Sequence, residues 1–248
     1  MAYIISLMNQ KGGVGKTTTT INLAWALISL KKKVLMLDWD PQGHLSKAMQ
    51  IAEDKIKYTV YDVLHGINIK NAMLTDNEYF YFLPCDINLS AADDELKNKQ
   101  YTLQKLLEGI QADFDYILID CPPSLGSLSI NALCASDGVL VPMQTDYLCY
   151  CGFELLMGTF DKVKKLNPKL EILGILATMH TNTRHSKEML QIIQSTGKAF
   201  KSVISHSVKF KDCTVEGVPI MEYDKRLGKQ YTDLAKEVID RGKAKHNG

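Results

Sequence analysis

Residues 9–18 read Asn9-Gln10-Lys11-Gly12-Gly13-Val14-Gly15-Lys16-Thr17-Thr18, directly after the apolar run Tyr3 to Met8. A strand followed by a glycine-rich turn, then Lys-Thr opening a helix, is the pattern of a phosphate-binding loop. Gly12, Gly13 and Gly15 let the backbone curl until its N–H groups face phosphate oxygens. Lys16 brings a point charge to β- and γ-phosphates. Thr17 offers a hydroxyl to Mg²⁺, and the helix that begins there aims its positive end at the anion. The loop departs from the ordinary G-x-x-x-x-G-K-[ST] form: Gln10 takes the first glycine slot, and a second lysine, Lys11, stands at the head.

Outward from this loop, short solid apolar runs alternate with helical patterns. The expected strands are Tyr3 to Met8, Lys33 to Asp38, Tyr79 to Leu83, Asp115 to Asp120, Gly138 to Met143 and Leu170 to Met179. The expected helices are Thr17 to Leu30, Thr59 to His65, Leu103 to Ile110, Ser127 to Ala135, Gly152 to Leu166, Lys187 to Thr196 and Leu227 to Arg241. Strands without polar alternation are covered on both faces. Their alternation with helices predicts an α/β fold, a doubly wound, mostly parallel sheet with helices on both faces. Ligands of such sheets sit at the carboxyl ends of the strands. Between Ile51 and Lys99 the patterns are short and mixed.

The chain has 248 residues, and one domain spanning 1–248 is the expectation. A net charge of +1 means that contact with nucleic acid needs a local basic patch. The sequence enters its first strand at Tyr3, so neither a signal peptide nor an N-terminal helix-turn-helix is expected. No apolar run has the length to span a bilayer. The six cysteines, at 85, 121, 134, 149, 151 and 213, lie irregularly and read as reduced core residues. Cys149 and Cys151 form a C-x-C pair, not the C-x-x-C of a metal or redox site.

Three segments together resemble the ParA/MinD family of ATPases. Lys11-Gly12-Gly13-Val14-Gly15-Lys16-Thr17-Thr18-Thr19 is similar to that family's deviant Walker A loop. Leu37-Asp38-Trp39-Asp40-Pro41-Gln42-Gly43 is similar to its DxDPQ segment. Ile117-Leu118-Ile119-Asp120-Cys121-Pro122-Pro123-Ser124-Leu125-Gly126 is similar to its Walker B strand and switch loop. The resemblance runs to Gly217-Val218-Pro219 and the final helix, and is strongest to the Soj/ParA branch that partitions chromosomes and plasmids. It implies a P-loop fold, ATP and Mg²⁺ as cofactors, and slow, partner-stimulated hydrolysis. Gly12, Gly13, Val14, Gly15, Lys16, Thr17 and Thr18 would hold the phosphates. Thr17 would ligate Mg²⁺, with Asp38 and Asp120 holding the metal's waters. Asp40 would position the attacking water; its alternative is a turn residue before Pro41. Lys11 would reach across an ATP-dependent homodimer into the partner's site. Asn182, in the loop His180-Thr181-Asn182-Thr183-Arg184, and Pro219 would face adenine; an ordinary loop asparagine is the alternative for Asn182.

For the Soj/ParA branch the output is sequence-independent binding to double-stranded DNA. The basic residues Lys198, Lys201, Lys209, Lys211, Lys225, Arg226 and Lys229 cluster late in the chain, and Lys209, Lys225 and Arg226 match the branch's DNA contacts. A solvated basic face is the alternative. The implied setting is cytoplasmic and nucleoid-associated, with a ParB-like centromere-binding protein as stimulating partner and no membrane. Two other outputs occur in the family. The MinD branch ends in a membrane-seeking amphipathic helix. Here Tyr231, Leu234, Ala235, Val238 and Ile239 are expected to pack on the sheet, leaving no large apolar residue after Ile239. Iron–sulfur carriers share the deviant loop, but Cys121 and Cys134 belong to no cluster motif.

Overall fold

A computed structural model describes the chain over residues 1–246, with the side chains of 148–152, 154–155 and 243–246 excepted. The Cys149 and Cys151 side chains therefore lie outside the described residues. In chain order the elements are β1 (Tyr3–Leu7), α1 (Lys16–Ser29), β2 (Val34–Asp38), α2 (His44–Ala48), α3 (Val60–Leu64), α4 (Ile69–Ala72), β3 (Leu74–Asn77), β4 (Phe80–Leu83), α5 (Leu89–Glu95) and α6 (Thr102–Glu108). Then come β5 (Tyr116–Asp120), α7 (Ser127–Ala135), β6 (Gly138–Gln144), α8 (Tyr147–Lys164), β7 (Glu171–His180), α9 (Arg184–Ser195), β8 (Ala199–Ser205), α10 (Lys209–Glu216), α11 (Ile220–Tyr223) and α12 (Lys225–His246).

The strands form one sheet in the order β3-β4-β2-β5-β1-β6-β7-β8. Among the described residues only the edge strand β3 runs antiparallel to its neighbour; the other pairings are parallel. The chain is a doubly wound α/β protein of the P-loop type. Successive residues of each strand point to opposite faces, and the core divides accordingly. Tyr3, Ile5 and Leu7 of β1, Val34 and Met36 of β2, and Tyr116 and Leu118 of β5 pack under α1 and α12. Ile4, Leu35, Leu37, Ile117 and Ile119 pack on the other face, with α3 and α5 through α9. Period-two splitting of an unbroken apolar run is what coverage on both faces requires.

β1 leads to β2 on one side, while β5 leads through α7 to β6 on the other. The connections diverge around β1 and open a crevice at the carboxyl ends. Asp38 and Asp120 are paired in register on adjacent strands, so two carboxylates end side by side beside the phosphate loop.

The central strands fall where the sequence places them, but two edges differ. β8 has no counterpart among the expected strands. Its sequence AFKSVIS mixes Lys201, Ser202 and Ser205 into a partly exposed edge, so no solid apolar run marks it. β3 reads LTDN and is mostly exposed. The short helices α2, α4, α5, α10 and α11 are also absent from the sequence expectation, being too brief for a clear 3.6-residue period. α9 starts at Arg184 and not Lys187, because the Thr183 side chain accepts from the Ser186 N–H and caps it. Tyr231, Leu234, Ala235 and Val238 of α12 are fully buried against the sheet.

Candidate active site: a phosphate loop flanked by three acids

The loop is held from both sides before any ligand is considered. Asn9 is buried and acts as a double clamp. Its Nδ2 donates to the Pro142 carbonyl at 2.7 Å, fixing the loop to β6, and its Oδ1 accepts from the Lys11 N–H at 3.0 Å. On the far side the Thr178 hydroxyl of β7 donates to the Val14 carbonyl at 2.9 Å. Gly13 and Gly15 take left-handed backbone angles, φ 74° and 92°, which glycine adopts without steric cost. A Cβ on Gly12 or Gly13 would meet nothing within 4 Å. These glycines therefore serve curvature, and the concave side of the loop is open. Gly15 precedes α1 without any side-chain cap. The first N–H groups of that helix are left for an anion.

Lys16 is buried, and its ammonium donates back to the carbonyls of Asn9 at 3.2 Å and Lys11 at 3.4 Å. Burial lowers its pKa, and the nearby Asp120 opposes that shift. Thr17 donates its hydroxyl to Asp120 at 2.6 Å, and Thr20 reaches the other carboxylate oxygen at 3.4 Å. Burial first, and then the Asp38 charge, push Asp120 up to about 8. Burial also raises Asp38, against three hydrogen bonds. Two of these come from Ser46, whose N–H and hydroxyl both donate to one Asp38 oxygen at 2.7 Å. Asp38 thus anchors the start of α2.

The segment between β2 and α2 is wound around Asp40. Asp40 donates its N–H to Asp38 at 3.2 Å and accepts from the Gln42 N–H at 3.0 Å. Its carbonyl accepts from the Gly43 N–H and from the Cys85 thiol, both within 2.9 Å. Between the two acids, Trp39 is wholly buried, and its indole N–H donates to the Leu128 carbonyl of α7 at 2.8 Å. Leaving that donor unpaired would cost about 1–3 kcal/mol. The turn after β2 is therefore locked to the helix that follows the Asp120 loop. Asp40 lines a cavity of about 340 Å³ with Gly12, Gly13, Lys16, Thr17 and Pro123.

Oxygen donors of this kind suit a hard divalent ion. Asp38 and Asp120 crowd carboxylate charge into a buried corner where Thr17 adds a hydroxyl and Lys16 the adjacent cation. Burial drives Asp120 toward its protonated form there, and a metal would reverse this. The residues present thus fit Mg²⁺.

A second cavity, of about 620 Å³, opens beside Gly13, Gly15 and Thr18 and runs under α10, with Met179, Phe210 and Tyr231 on its mostly apolar wall. Asn182 is exposed in the turn before α9. Pro219 is buried ahead of α11, held by the Ile220 N–H donating to Asn22 of α1 at 2.8 Å. Neither residue lines the large cavity. Lys11 lies outside the Lys16 pocket and pairs with Asp146 at 3.4 Å. Lys209 begins α10 and pairs with Asp224 at 2.6 Å, while Lys225 and Arg226 begin α12 and are exposed. Three supports escaped the sequence reading: Asn9, Thr178 and Ser46. Asn9 had one signal, an amide at the end of an apolar strand; Thr178 and Ser46 had none, since their partners lie far away in sequence or on a helix too short to foresee.

Residues 2–172 match the AAA domain family. The chain is 39% identical to the sporulation initiation inhibitor protein Soj of Bacillus subtilis, over 98% of this chain and 100% of that protein. It is 38% identical to the chromosome partitioning protein ParA of Myxococcus xanthus, over 96% of this chain and 88% of the relative. Among solved structures it is similar to cobyrinic acid a,c-diamide synthase of Mycobacterium smegmatis with bound ADP and magnesium, with a TM-score of 0.84 and 30% identity, covering 98% of this chain and 96% of that one. The loop, the acids around it and these likenesses agree, and the chain belongs to the ParA/Soj family of partition ATPases.

Proposed function

We propose that this chain is an ATP-gated switch: it dimerises with ATP and Mg²⁺, binds double-stranded DNA without sequence preference in that state, and is reset by slow, partner-stimulated hydrolysis. The observation that carries the reading is the convergence of Lys16, Thr17, Asp38, Asp40 and Asp120 on one open glycine loop. Phosphoryl transfer needs mainly positioning and charge neutralisation. The backbone of Gly12 to Thr18 binds phosphate oxygens, and Lys16 swings from its carbonyl contacts to the β- and γ-phosphates. Thr17, which donates to Asp120 here, would turn its hydroxyl to Mg²⁺, and Asp38 and Asp120 would hold the ion's waters. When bound, the ion neutralises charge on the transferred group. Asp40 orients the attacking water from the turn that Trp39 and Cys85 fix.

The apolar cavity next to Gly13 has room for a base; Asn182 and Pro219 are the further candidates for adenine contact. Lys11 acts across the dimer on the partner's phosphates. Lys209, Lys225 and Arg226 form the DNA face, doubled by dimerisation, and the natural second partner is a ParB-like protein carrying the centromere. With these roles the protein would work at the nucleoid. Among the described residues no helix is long and apolar enough to cross a membrane, and the apolar stripe of α12 is spent on the core.

Gel shifts on unrelated duplexes, with ATP and with ADP across a salt series, test the switch. Asp224 caps α12 through the Leu227 N–H at 2.9 Å and needs Lys209 as its partner. The suitable variant is therefore Lys209→Gln with Lys225→Glu and Arg226→Glu. Binding should require ATP, and each lost phosphate contact should reduce the log–log salt slope by about 0.9. DNA binding that survives the triple change, or is equal in ADP and ATP, would overturn the proposed output. ATP-dependent binding to liposomes in its place would favour a membrane function.

A further inference from the structure

The two halves of the nucleotide site are built on different helices. The acidic half hangs on α2, because Ser46 holds Asp38 through two bonds. The apolar half is walled by α10, through Phe210, Lys211, Thr214 and Val215. Between α2 and α10 lies an open cleft of about 350 Å³, floored by Thr17, Thr18 and Ile21 of α1. Just past the end of α2, the side chain of Gln50 reaches over to the end of α10.

Gln50 stands two residues beyond α2 in a left-handed conformation, φ 48°, which costs a non-glycine residue energy unless something holds it. Its Nε2 donates to the carbonyl of Thr214 at 3.1 Å and to that of Val215. Both carbonyls lie in the last turn of α10, where the Thr214 carbonyl also accepts from the Gly217 N–H at 3.3 Å, so Gln50 grips the helix at its capped end. The approach is close: a Cβ on Gly217, the left-handed residue that ends α10, would come within 2.9 Å of the Gln50 side-chain oxygen. A strained backbone, two bonds to helix-end carbonyls and a glycine that makes room converge on one contact.

We propose that Gln50 is a positioning residue that couples the Asp38–Asp40 turn to α10, so that what occupies the phosphate end of the site is relayed to the apolar wall and to Lys209 at the far end of that helix. The proposal rests on the nucleotide-switch reading above. A γ-phosphate that draws on Asp40 shifts the turn, Ser46 carries the shift into α2, and Gln50 pulls the C-terminus of α10. Bonds to backbone carbonyls suit this role, because they grip the helix and not one rotamer. Such a relay is a coupling free energy between two sites, and it works in both directions.

Gln50→Met keeps length and volume and removes the donors. Gln50 is exposed, so the core is undisturbed. Gly217→Ala crowds the Gln50 side chain from the other side, at a left-handed position that also strains the end of α10. Hydrogen exchange of the α10 amides, measured with ADP and with a non-hydrolysable ATP analogue, reads the relay directly. The wild type should show slower exchange in α10 with the analogue than with ADP. In Gln50→Met, ADP affinity should stay within about twofold, as expected for a change remote from the ligand. The analogue-dependent difference should shrink by about tenfold, a usual size for allosteric coupling. A wild type that binds neither nucleotide would defeat the switch reading itself. A wild type that binds both with identical α10 exchange would overturn only the relay, as would a full difference surviving in both variants.

Discussion

The phosphate end of this site and the α10–α12 end are built by different rules. Asp38 and Asp120 come from central strands, buried in register, and Lys16 opens a helix packed between sheet and α12. Their positions follow from the framework of the sheet. Lys209, Lys225 and Arg226 sit at helix starts beyond the edge strand β8, exposed to solvent. Their positions follow from local capping, such as Asp224 at the head of α12. Chemistry that needs sub-ångström geometry is placed on the rigid part. The contact with phosphates of any sequence proposed for these three residues tolerates the looser one.

If that contrast is right, single substitutions at the phosphate end should be close to all-or-none. Lys16→Ala should remove ATP binding, since a buried charge-assisted contact contributes about 1.5–3 kcal/mol and the β/γ-phosphates lose their only lysine from this loop end. Titration with a fluorescent ATP analogue measures it. Wild-type affinity in the variant would break the assignment of the loop.

Asp40→Ala should bind ATP and stop there. The loop glycines, Lys16 and Thr17 stay in place while the group that orients water is gone. Turnover should fall by about 10²–10⁴, and the protein should accumulate in its ATP form. Steady-state phosphate release together with retained ATP would show this. Unchanged hydrolysis would reduce Asp40 to the turn residue that its bonds to Gln42 and Gly43 also make it.

Lys11 lies between the two regimes. It belongs to the loop by sequence, yet it pairs with Asp146 outside the Lys16 pocket, with about a third of its side chain exposed. Lys11→Ala should therefore keep ATP binding within a few-fold, because a half-exposed pair contributes about 0–1 kcal/mol, but should lose the ATP-dependent dimer. Light scattering with ATP decides. A normal dimer from the variant would confine Lys11 to its own chain.

The same division explains what the sequence disclosed. Strands buried on both faces leave solid apolar runs, and ligands gather at their ends, so the places of Lys16, Asp38 and Asp120 at one end of the sheet follow from pattern alone. The roles proposed for Asp40 and Lys11 rest on resemblance, since nothing in spacing distinguishes Asp40 from an ordinary turn acid. β8 was invisible because an edge strand with Lys201 and Ser202 on it carries no continuous apolar signal. Asn22 holding the Pro219 turn, Thr178 holding Val14 and Gln50 holding α10 are long-range bonds from ordinary polar residues. No local rule marks them, because their meaning lies in the partner.

The smallest effect expected is a pH dependence, and it separates framework from function at one residue. Asp120 is wholly buried, faces Asp38 and Asp40, and has Lys16 and the Thr17 hydroxyl as its counterweights, with its pKa pushed up to about 8. Its unfolded value is 3.8. Between these values the folded state holds a proton that the unfolded state has released, so stability without nucleotide should fall as pH rises from about 4 to about 8. Asp120→Asn removes the titration while keeping an oxygen for Thr17. Its melting temperature should therefore be flatter with pH and should pass that of the wild type above pH 8, by about 2–4 °C for each kcal/mol gained. Hydrolysis should be lost at the same time, so the acid costs the empty protein stability and serves the ion. Mg²⁺ with nucleotide should reverse the order by stabilising only the wild type at high pH, with a proton released on binding. Thermal melts of both proteins from pH 5 to 9, with and without Mg²⁺-nucleotide, test each sign. A gap between the two proteins that does not change with pH would mean that Asp120 is held ionised by its neighbours alone, and the buried corner would need no metal to keep its charge.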